Sequence, residues 1–441
     1  MYLNRHIDNY LLQWKKDNRK PLLLRGARQV GKSSSVRNLG KQFEFFLEIN
    51  FEKRESEKAK EVFERVSSPE TLCDELSLMY QIPIEAGRTL LFFDEIQSCI
   101  PAISSLRFFY EEMPSLHVIA AGSLLEFALQ QIPSFGVGRI RSVFMYPFSF
   151  DEFLRAAGAE MLANRLNETT PEKPISDTLH QRCKEFFVTH LLIGGMPEAL
   201  AAYINGCSLL KSQYILDDLT ETLYADFAKY KQRVPTTRLR EVFSSIIQQT
   251  GTKFTYSAAA QNTNLQQIKE SVELLELAGL VYPVTHTAAN GLPLAAEQNI
   301  KYRKYMLFDT GIYQRFLKLD LSNVLNNNRL WQINRGALAE MYAGIEMKKA
   351  GQNNITTELY CWQREKYGSE AEVDYIIQQG DDIIPVEVKS NTKGSMQSLY
   401  GFMKAKNSKY GIRTSLENFG QFRNVKIYPL YAISNVLKNS H

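Results

Sequence analysis

Eight residues, Gly26-Ala27-Arg28-Gln29-Val30-Gly31-Lys32-Ser33, have the spacing Gly-x-x-x-x-Gly-Lys-Ser. Such a run can cradle a polyanion: its glycines let successive backbone N–H groups converge, and a helix beginning at the lysine adds the positive end of its dipole. Lys32 would neutralise β- and γ-phosphates, Ser33 would supply a hydroxyl to Mg²⁺, and Ser34 would complete the cradle. A second group follows the apolar run Thr89-Leu90-Leu91-Phe92-Phe93. There Asp94-Glu95 would arrive at the C-terminal edge of a buried strand, where α/β sheets bind ligands. Asp94 suits the magnesium, and Glu95 suits the polarisation of an attacking water. Ser123, after the run His117–Ala121, would sense the γ-phosphate, cap the helix expected from Leu124, or do both. Arg139 and Arg141 follow Gly136-Val137-Gly138. Their guanidinium groups would stabilise phosphate charge on their own or a neighbouring subunit, the alternative being a solvated arginine or a simple ion pair.

Other acids lie near the C-terminus. Asp374 on one expected strand and Glu387-Val388-Lys389 on the next form a pattern used by restriction-type nucleases, in which two acids bind Mg²⁺ and the lysine activates water or steadies the phosphate. Strand alternation turns Glu387 and Lys389 to one face, and Glu340 on the preceding helix would complete a second Mg²⁺ site. The competing reading is a solvated cross-strand salt bridge. Lys301, Arg303 and Lys304 favour nucleic acid near a wing-like hairpin. The helix before it, with Gln266, Gln267, Lys269, Glu270 and Glu273, is barely basic and suits a protein contact equally well. The six histidines show no metal-ligand spacing, and Trp14, Trp331 and Trp362 read as packing residues.

The elements that must position these groups follow from periodicity. Apolar runs at 21–25, 45–50, 89–93, 117–121 and 140–145 alternate with amphipathic stretches, as in a parallel sheet with crossover helices. Helical periodicity dominates from Ser149 to Thr250, broken by the turn Gly194-Gly195-Met196-Pro197. Next comes a winged-helix pattern: a short helix, a turn at Asn262-Thr263-Asn264, a helix closed by Gly279, and two strands. Last comes a helix with Leu338, Met341, Tyr342 and Ile345 on one face, then strands near 359–363, 372–377 and 383–389. The expected fold is α/β and multidomain: a P-loop domain over residues 1–150, a helical lid or connector over 151–235, a winged helix over 236–320 and a nuclease-like α/β domain over 321–441.

The 441 residues suit several domains, and 44% hydrophobic with 23% charged residues suit a globular chain. A net charge of +4 neither demands nor excludes nucleic acid, so any basic footprint must be local. Five scattered cysteines, and the lack of any apolar run near the roughly 20 residues that span a bilayer, lead to the expectation of a cytoplasmic protein without a membrane partner.

Together, Leu24–Lys32, Phe93-Asp94-Glu95-Ile96-Gln97, Ala121-Gly122-Ser123, Gly138-Arg139, Tyr146–Phe150 and Gly194–Glu198 resemble a large prokaryotic family of AAA-type ATPases that join an N-terminal ATPase to a C-terminal domain of unassigned function and nuclease-like fold. The resemblance continues in Phe308-Asp309-Thr310-Gly311, Arg335–Glu340, Glu372-Val373-Asp374 and Val386–Lys389. It implies ATP binding and hydrolysis with Mg²⁺, and it makes Arg139 the arginine-finger candidate, which would require a homo-oligomer if the finger acts between subunits. It names no substrate, and DNA or a protein partner both remain open. Ser33 stands where the family more often has threonine, which keeps the hydroxyl. Ala121 also replaces a frequent threonine and leaves Ser123 as the hydroxyl of that segment.

Overall fold

Five short strands build the first sheet: β1 (Leu22–Arg25), β2 (Phe45–Asn50), β3 (Thr89–Asp94), β4 (His117–Ala121) and β5 (Arg141–Phe144). A computed structural model of the chain describes residues 2–17, 20–123, 125–130, 138–230, 233–260, 264–318, 335–351, 356–364, 371–390 and 395–438. Leu124, Gly136, Val137, Asn262, Thr263 and Trp331 lie outside these residues. The chain divides into two compact units, one formed mainly by Met1–Pro147 and the other by nearly all of the remainder.

In the first unit the strand order is β2-β3-β4-β1-β5, and every pairing is parallel. A parallel sheet is covered on both faces, so its inner strands read as continuous apolar runs. Strands β3 and β4 are buried along their whole length. On one face, helices Glu57–Arg65, Pro69–Tyr80 and Ile100–Glu112 close over Leu47, Ile49, Leu91 and Phe93. Phe93 is central here, with the rings of Phe63, Phe51 and Phe109 at 5.3, 5.9 and 6.0 Å. Each such buried ring contributes on the order of 1.5–3 kcal/mol, which fixes the strand whose next residues are Asp94 and Glu95.

The second unit begins with helices. Ser149 starts the helix Phe150–Ala156 with a reciprocal capping box to Glu152, and serines 176 and 208 cap the helices Asp177–Ile193 and Leu209–Asp226. Gly194-Gly195 forms the expected turn before the helix Pro197–Ile204. The buried Asp309 ties this turn down. Its carboxylate accepts from Gly195 N at 2.6 Å and, as N-cap of the helix Thr310–Phe316, from Ile312 N at 3.0 Å. Gly194 has φ +72°, and a Cβ there would strike the Asp309 carboxylate, so glycine is required.

Helices Thr236–Gln248 and Leu265–Leu277 lead into an antiparallel hairpin, β6 (Val281–Thr287) and β7 (Gln298–Leu307). After it come β8 (Leu359–Gln363), β9 (Glu372–Gln379), β10 (Asp382–Val388), β11 (Gly411–Ser415), β12 (Gly420–Phe422) and β13 (Val425–Pro429). All eight belong to one mixed sheet of order β12-β13-β11-β10-β9-β8-β6-β7. The hairpin joins through a parallel pairing of β6 with β8, so the sheet crosses residue 320, where the sequence suggested a domain boundary. Leu338, Met341, Tyr342 and Ile345, on the helix Arg335–Lys349, are all buried as their spacing predicts.

Candidate nucleotide site and a second acidic cluster

The loop after β1 bends sharply. Gly26, Gln29 and Gly31 have φ of +136°, +61° and +99°, and the helix Lys32–Gly40 starts directly after Gly31. A Cβ at Gly26 would strike the Met145 carbonyl oxygen, so the first glycine of the spacing is sterically required. The Lys32 ammonium, 7% exposed, donates to the carbonyl oxygens of Gly26 and Ala27, each at 2.8 Å. Burial lowers its pKa to about 8, against the pull of Glu95 and Asp94. Arg28 pairs with Glu52 at 3.5 Å on the outer side of the loop.

Ser33 is the second residue of that helix, and its hydroxyl donates to both oxygens of Asp94, at 2.9 and 3.0 Å. Burial raises the Asp94 carboxyl, and the Ser33 bond opposes the shift. A hydroxyl and a carboxylate in contact are oxygen donors of the kind Mg²⁺ takes, so Ser33 and Asp94 fit the ion, and Lys32 with the loop fits the phosphates. Ser34 is the third residue of the same helix.

Glu95 adopts the left-handed conformation, φ +49° and ψ +44°, which costs a non-glycine residue about 1–2 kcal/mol. This twist takes the backbone out of β3 and into the short helix Ile96–Ser98. Gln97 Nε2 donates to Glu95 Oε2 at 2.7 Å, and the Ser123 hydroxyl points to the same oxygen at 3.4 Å. The ends of β1, β3 and β4, adjacent or nearly so in the sheet, thus bring together the loop, Asp94-Glu95 and Ser123.

Two further residues belong here. Asn50, the last residue of β2, donates to Asp94 Oδ2 at 3.1 Å, and Gln97 steadies Glu95. Asn50 had one visible signal, a polar residue ending an apolar strand. Gln97 lies inside the Phe93–Gln97 motif, where its residue type alone points to no role.

Arg139 is placed elsewhere. Parallel register sets Leu22 beside Arg141 and Arg25 beside Phe144, so Arg139 precedes β5 at the sheet edge opposite the loop. At least about 10 Å of strand intervenes. Its guanidinium, half exposed, pairs with Glu111. The expectation that it reaches a phosphate of its own chain is therefore not met, and only a neighbouring subunit's nucleotide remains open to it.

In the second unit, Glu340, Asp374, Glu387 and Lys389 do come together. Register sets Val386 beside Tyr375, which carries Glu387 opposite Asp374 on the same face. Asp374 Oδ2 accepts from Val388 N at 2.7 Å, and Lys389 pairs with Glu387. Tyr375 OH donates to the Glu340 backbone oxygen at 2.8 Å, clamping the helix to the strand. Glu372 lies nearby, and Lys304 from β7 pairs with both Glu340, at 2.8 Å, and Glu372. Burial followed by the charge of Asp374 pushes Glu340 up to about 8 and Glu387 up to about 7, and burial raises Asp374. Burial alone would lower Lys304, but the charges of Glu340, Glu372 and Asp374 outweigh it and hold the ammonium well above the usual range.

Among the described residues no group of three or more His, Cys, Asp or Glu is arranged to hold a metal ion. The acids are the right types for Mg²⁺, yet with the Lys304 and Lys389 ammonium groups seated among them their arrangement does not fit it. Lys304, which the sequence suggested as part of a basic wing, is 2% exposed and turned into this cluster. Lys301 is exposed, whereas Arg303 is half-buried with Glu276 at 3.6 Å. Only Lys301 of the three remains a free surface charge of the kind a phosphate backbone attracts.

A parallel α/β sheet with this loop and acid pair defines a P-loop nucleotide-binding unit. Residues 18–154 match the family described as AAA domain, which supports nucleotide binding and hydrolysis at the level of the family. Residues 184–323 and 335–433 match two domains of unknown function, DUF8612 and DUF4143. No curated protein matches the chain. Similar solved structures include the Walker-type ATPase paby2304 of Pyrococcus abyssi, 16% identical, covering 72% of this chain and 96% of that one with a TM-score of 0.47. PCH-2 of C. elegans is 10% identical, covering 39% and 48% with a TM-score of 0.23. No described helix is long and apolar enough to cross a membrane.

Proposed function

We propose that the chain binds ATP with Mg²⁺ and hydrolyses it, and that the nucleotide state governs the winged-helix-like and nuclease-like parts of the second unit in an action on DNA. The observation that carries the ATPase reading is the convergence of Lys32, Ser33, Asp94, Glu95 and Ser123 at one sheet edge. Residues 26–34 would wrap the phosphates, with Lys32 leaving its two carbonyls for them. Ser33 and Asp94 would hold Mg²⁺, which when bound neutralises phosphate charge. Glu95 would take the proton of the attacking water, with Gln97 and Ser123 orienting its carboxylate. Arg139 would act, in a homo-oligomer, on a neighbouring copy.

The DNA reading is supported by two helices followed by the β6–β7 hairpin, the order of a winged helix, and by Asp374 facing Glu387-Val388-Lys389 across β9 and β10. A second reading is favoured by one observation: the acids are already paired with Lys304 and Lys389. In it the second unit cleaves nothing, and the chain is a nucleotide-dependent switch that binds a protein partner. ATP turnover measured with and without DNA tests both. Turnover stimulated by DNA, together with Mg²⁺-dependent cleavage, is the outcome of the first reading. Turnover indifferent to DNA, without cleavage, removes it in favour of the second, and full turnover in Lys32→Ala would sink the site assignment itself.

A further inference from the structure

The acid cluster of the second unit contains a cation that its sequence pattern does not include. Four carboxylates, Glu340, Glu372, Asp374 and Glu387, face two ammonium groups, Lys304 and Lys389. Lys389 comes from the same strand as Glu387 and belongs to the pattern. Lys304 comes from β7, the far edge of the eight-stranded sheet, and is the more buried of the two. Its Nζ lies within pairing distance of acids on two separate elements, the helix Arg335–Lys349 and β9, which is the bridging a divalent ion would perform.

A buried ammonium with two carboxylates is costly to expel, because removing one partner strands the others in a poorly hydrated interior. The cluster nevertheless retains unused capacity. Glu387 Oε2 is buried without a hydrogen-bond partner, on a side chain 8% exposed, and faces Asp374 by register. An orphaned carboxylate oxygen in such a position is an acceptor waiting for a cation or a proton.

We propose that Lys304 is the resident cation of this cluster, occupying the place of a divalent metal ion, so that the folded chain takes no divalent ion there until the Lys304 ammonium is withdrawn. Lys304 is then a built-in block, and the ligand class of the unblocked cluster is a hard divalent cation held by Asp374, Glu387 and the acids Lys304 now bridges. The proposal rests on reading these acids as a cation site.

The test uses full-length, nucleotide-free protein carrying Asp94→Asn, so that the nucleotide site takes up no ion, with Mn²⁺ as the probe in titration calorimetry and paramagnetic resonance. The parent is expected to show no saturable Mn²⁺ binding. Lys304→Met should gain one site, tighter than any parental binding by roughly tenfold or more, and adding Glu387→Gln should remove it. Should Lys304→Met fold poorly by circular dichroism, Lys304→Met with Glu340→Gln removes one charge of each sign and keeps Asp374, Glu387 and Glu372. Equal Mn²⁺ binding with and without Lys304 would overturn the blocking role and leave the cation site standing. Binding in neither variant would overturn the cation site itself.

Discussion

At the scale of single residues, Glu95 is held in a left-handed conformation that costs free energy at the point where β3 turns into the short helix Ile96–Ser98. A left-handed glutamate at a strand end, fixed by Gln97 and facing Ser123, makes sense as a base aimed at a ligand. Glu95→Gln keeps the shape and removes the basicity. It should bind ATP as the parent does while kcat falls by about 10²–10⁴, read by nucleotide titration beside single-turnover hydrolysis. Unchanged turnover would give the water to another group. His190 supports a prediction of a different kind. It lies fully buried among Phe150, Phe153 and Tyr342, with Nε2 3.4 Å from the Phe148 carbonyl oxygen and with Lys349 and Glu152 as charged neighbours. Burial, then the Lys349 charge, lowers its pKa to about 3 from an ordinary 6.5. The unfolded chain therefore binds the proton first as pH falls, and stability is lost below 6.5 by up to about 1.4 kcal/mol per pH unit. Denaturant midpoints across pH 7 to 4 should show this slope, and His190→Phe should flatten it. An equal slope in the variant would assign the acid sensitivity to other groups.

At the scale of elements, Asp309 joins two turns distant in sequence. Asp309→Ala leaves Gly195 N and Ile312 N without their acceptor inside the second unit, and should cost about 2–4 kcal/mol, measured by denaturant unfolding. A loss under about 0.5 kcal/mol would mean that other groups satisfy both donors. How much of such architecture can be read beforehand depends on range. β2 and β4 have the limits their apolar runs predict, β1 and β3 differ by one residue at one end and β5 by one residue at each end, because strands covered on both faces must be apolar throughout. The loop and the acid pair were legible for the same reason: their chemistry is local and their spacing is set by a turn. The joining of β6 to β8 was not legible, since a parallel pairing across some seventy residues leaves no period in either strand. Lys304 shows the same limit on a smaller scale. In the sequence it stands with Lys301 and Arg303 and reads as one of three surface charges, and only the partners brought by Glu340 and Glu372 turn it inward. Arg139 likewise looked near the phosphates because its motif precedes a sheet strand, whereas register puts it at that strand's wrong end.

At the scale of the whole molecule, the described residues form two sheets, each within its own compact unit, and the loop at Lys32 and the acid cluster at Lys304 are divided between them. Nucleotide contacts would fall entirely on residues of the first unit, so ATP should stabilise that unit by mass action, by about 2.7 kcal/mol at a hundredfold excess over Kd. For a unit of this size that corresponds to a rise of roughly 5–10 °C in its midpoint. Scanning calorimetry should resolve two transitions. Mg·ATP should raise one of them, and Lys32→Ala should abolish the rise. Asp309→Ala should lower the other, which identifies it independently of any ligand. If Mg·ATP instead raises the transition that Asp309→Ala lowers, then nucleotide binding reaches the second unit energetically, by the amount of the shift. That result would remove the simple division of labour, and Mn²⁺ binding then decides whether ATP also acts on the Lys304 block. Mn²⁺ binding at Asp374 and Glu387 that appears only with nucleotide, in the chain with Lys304 intact, would show a block that ATP releases, and unchanged absence of binding would show a block that ATP leaves in place.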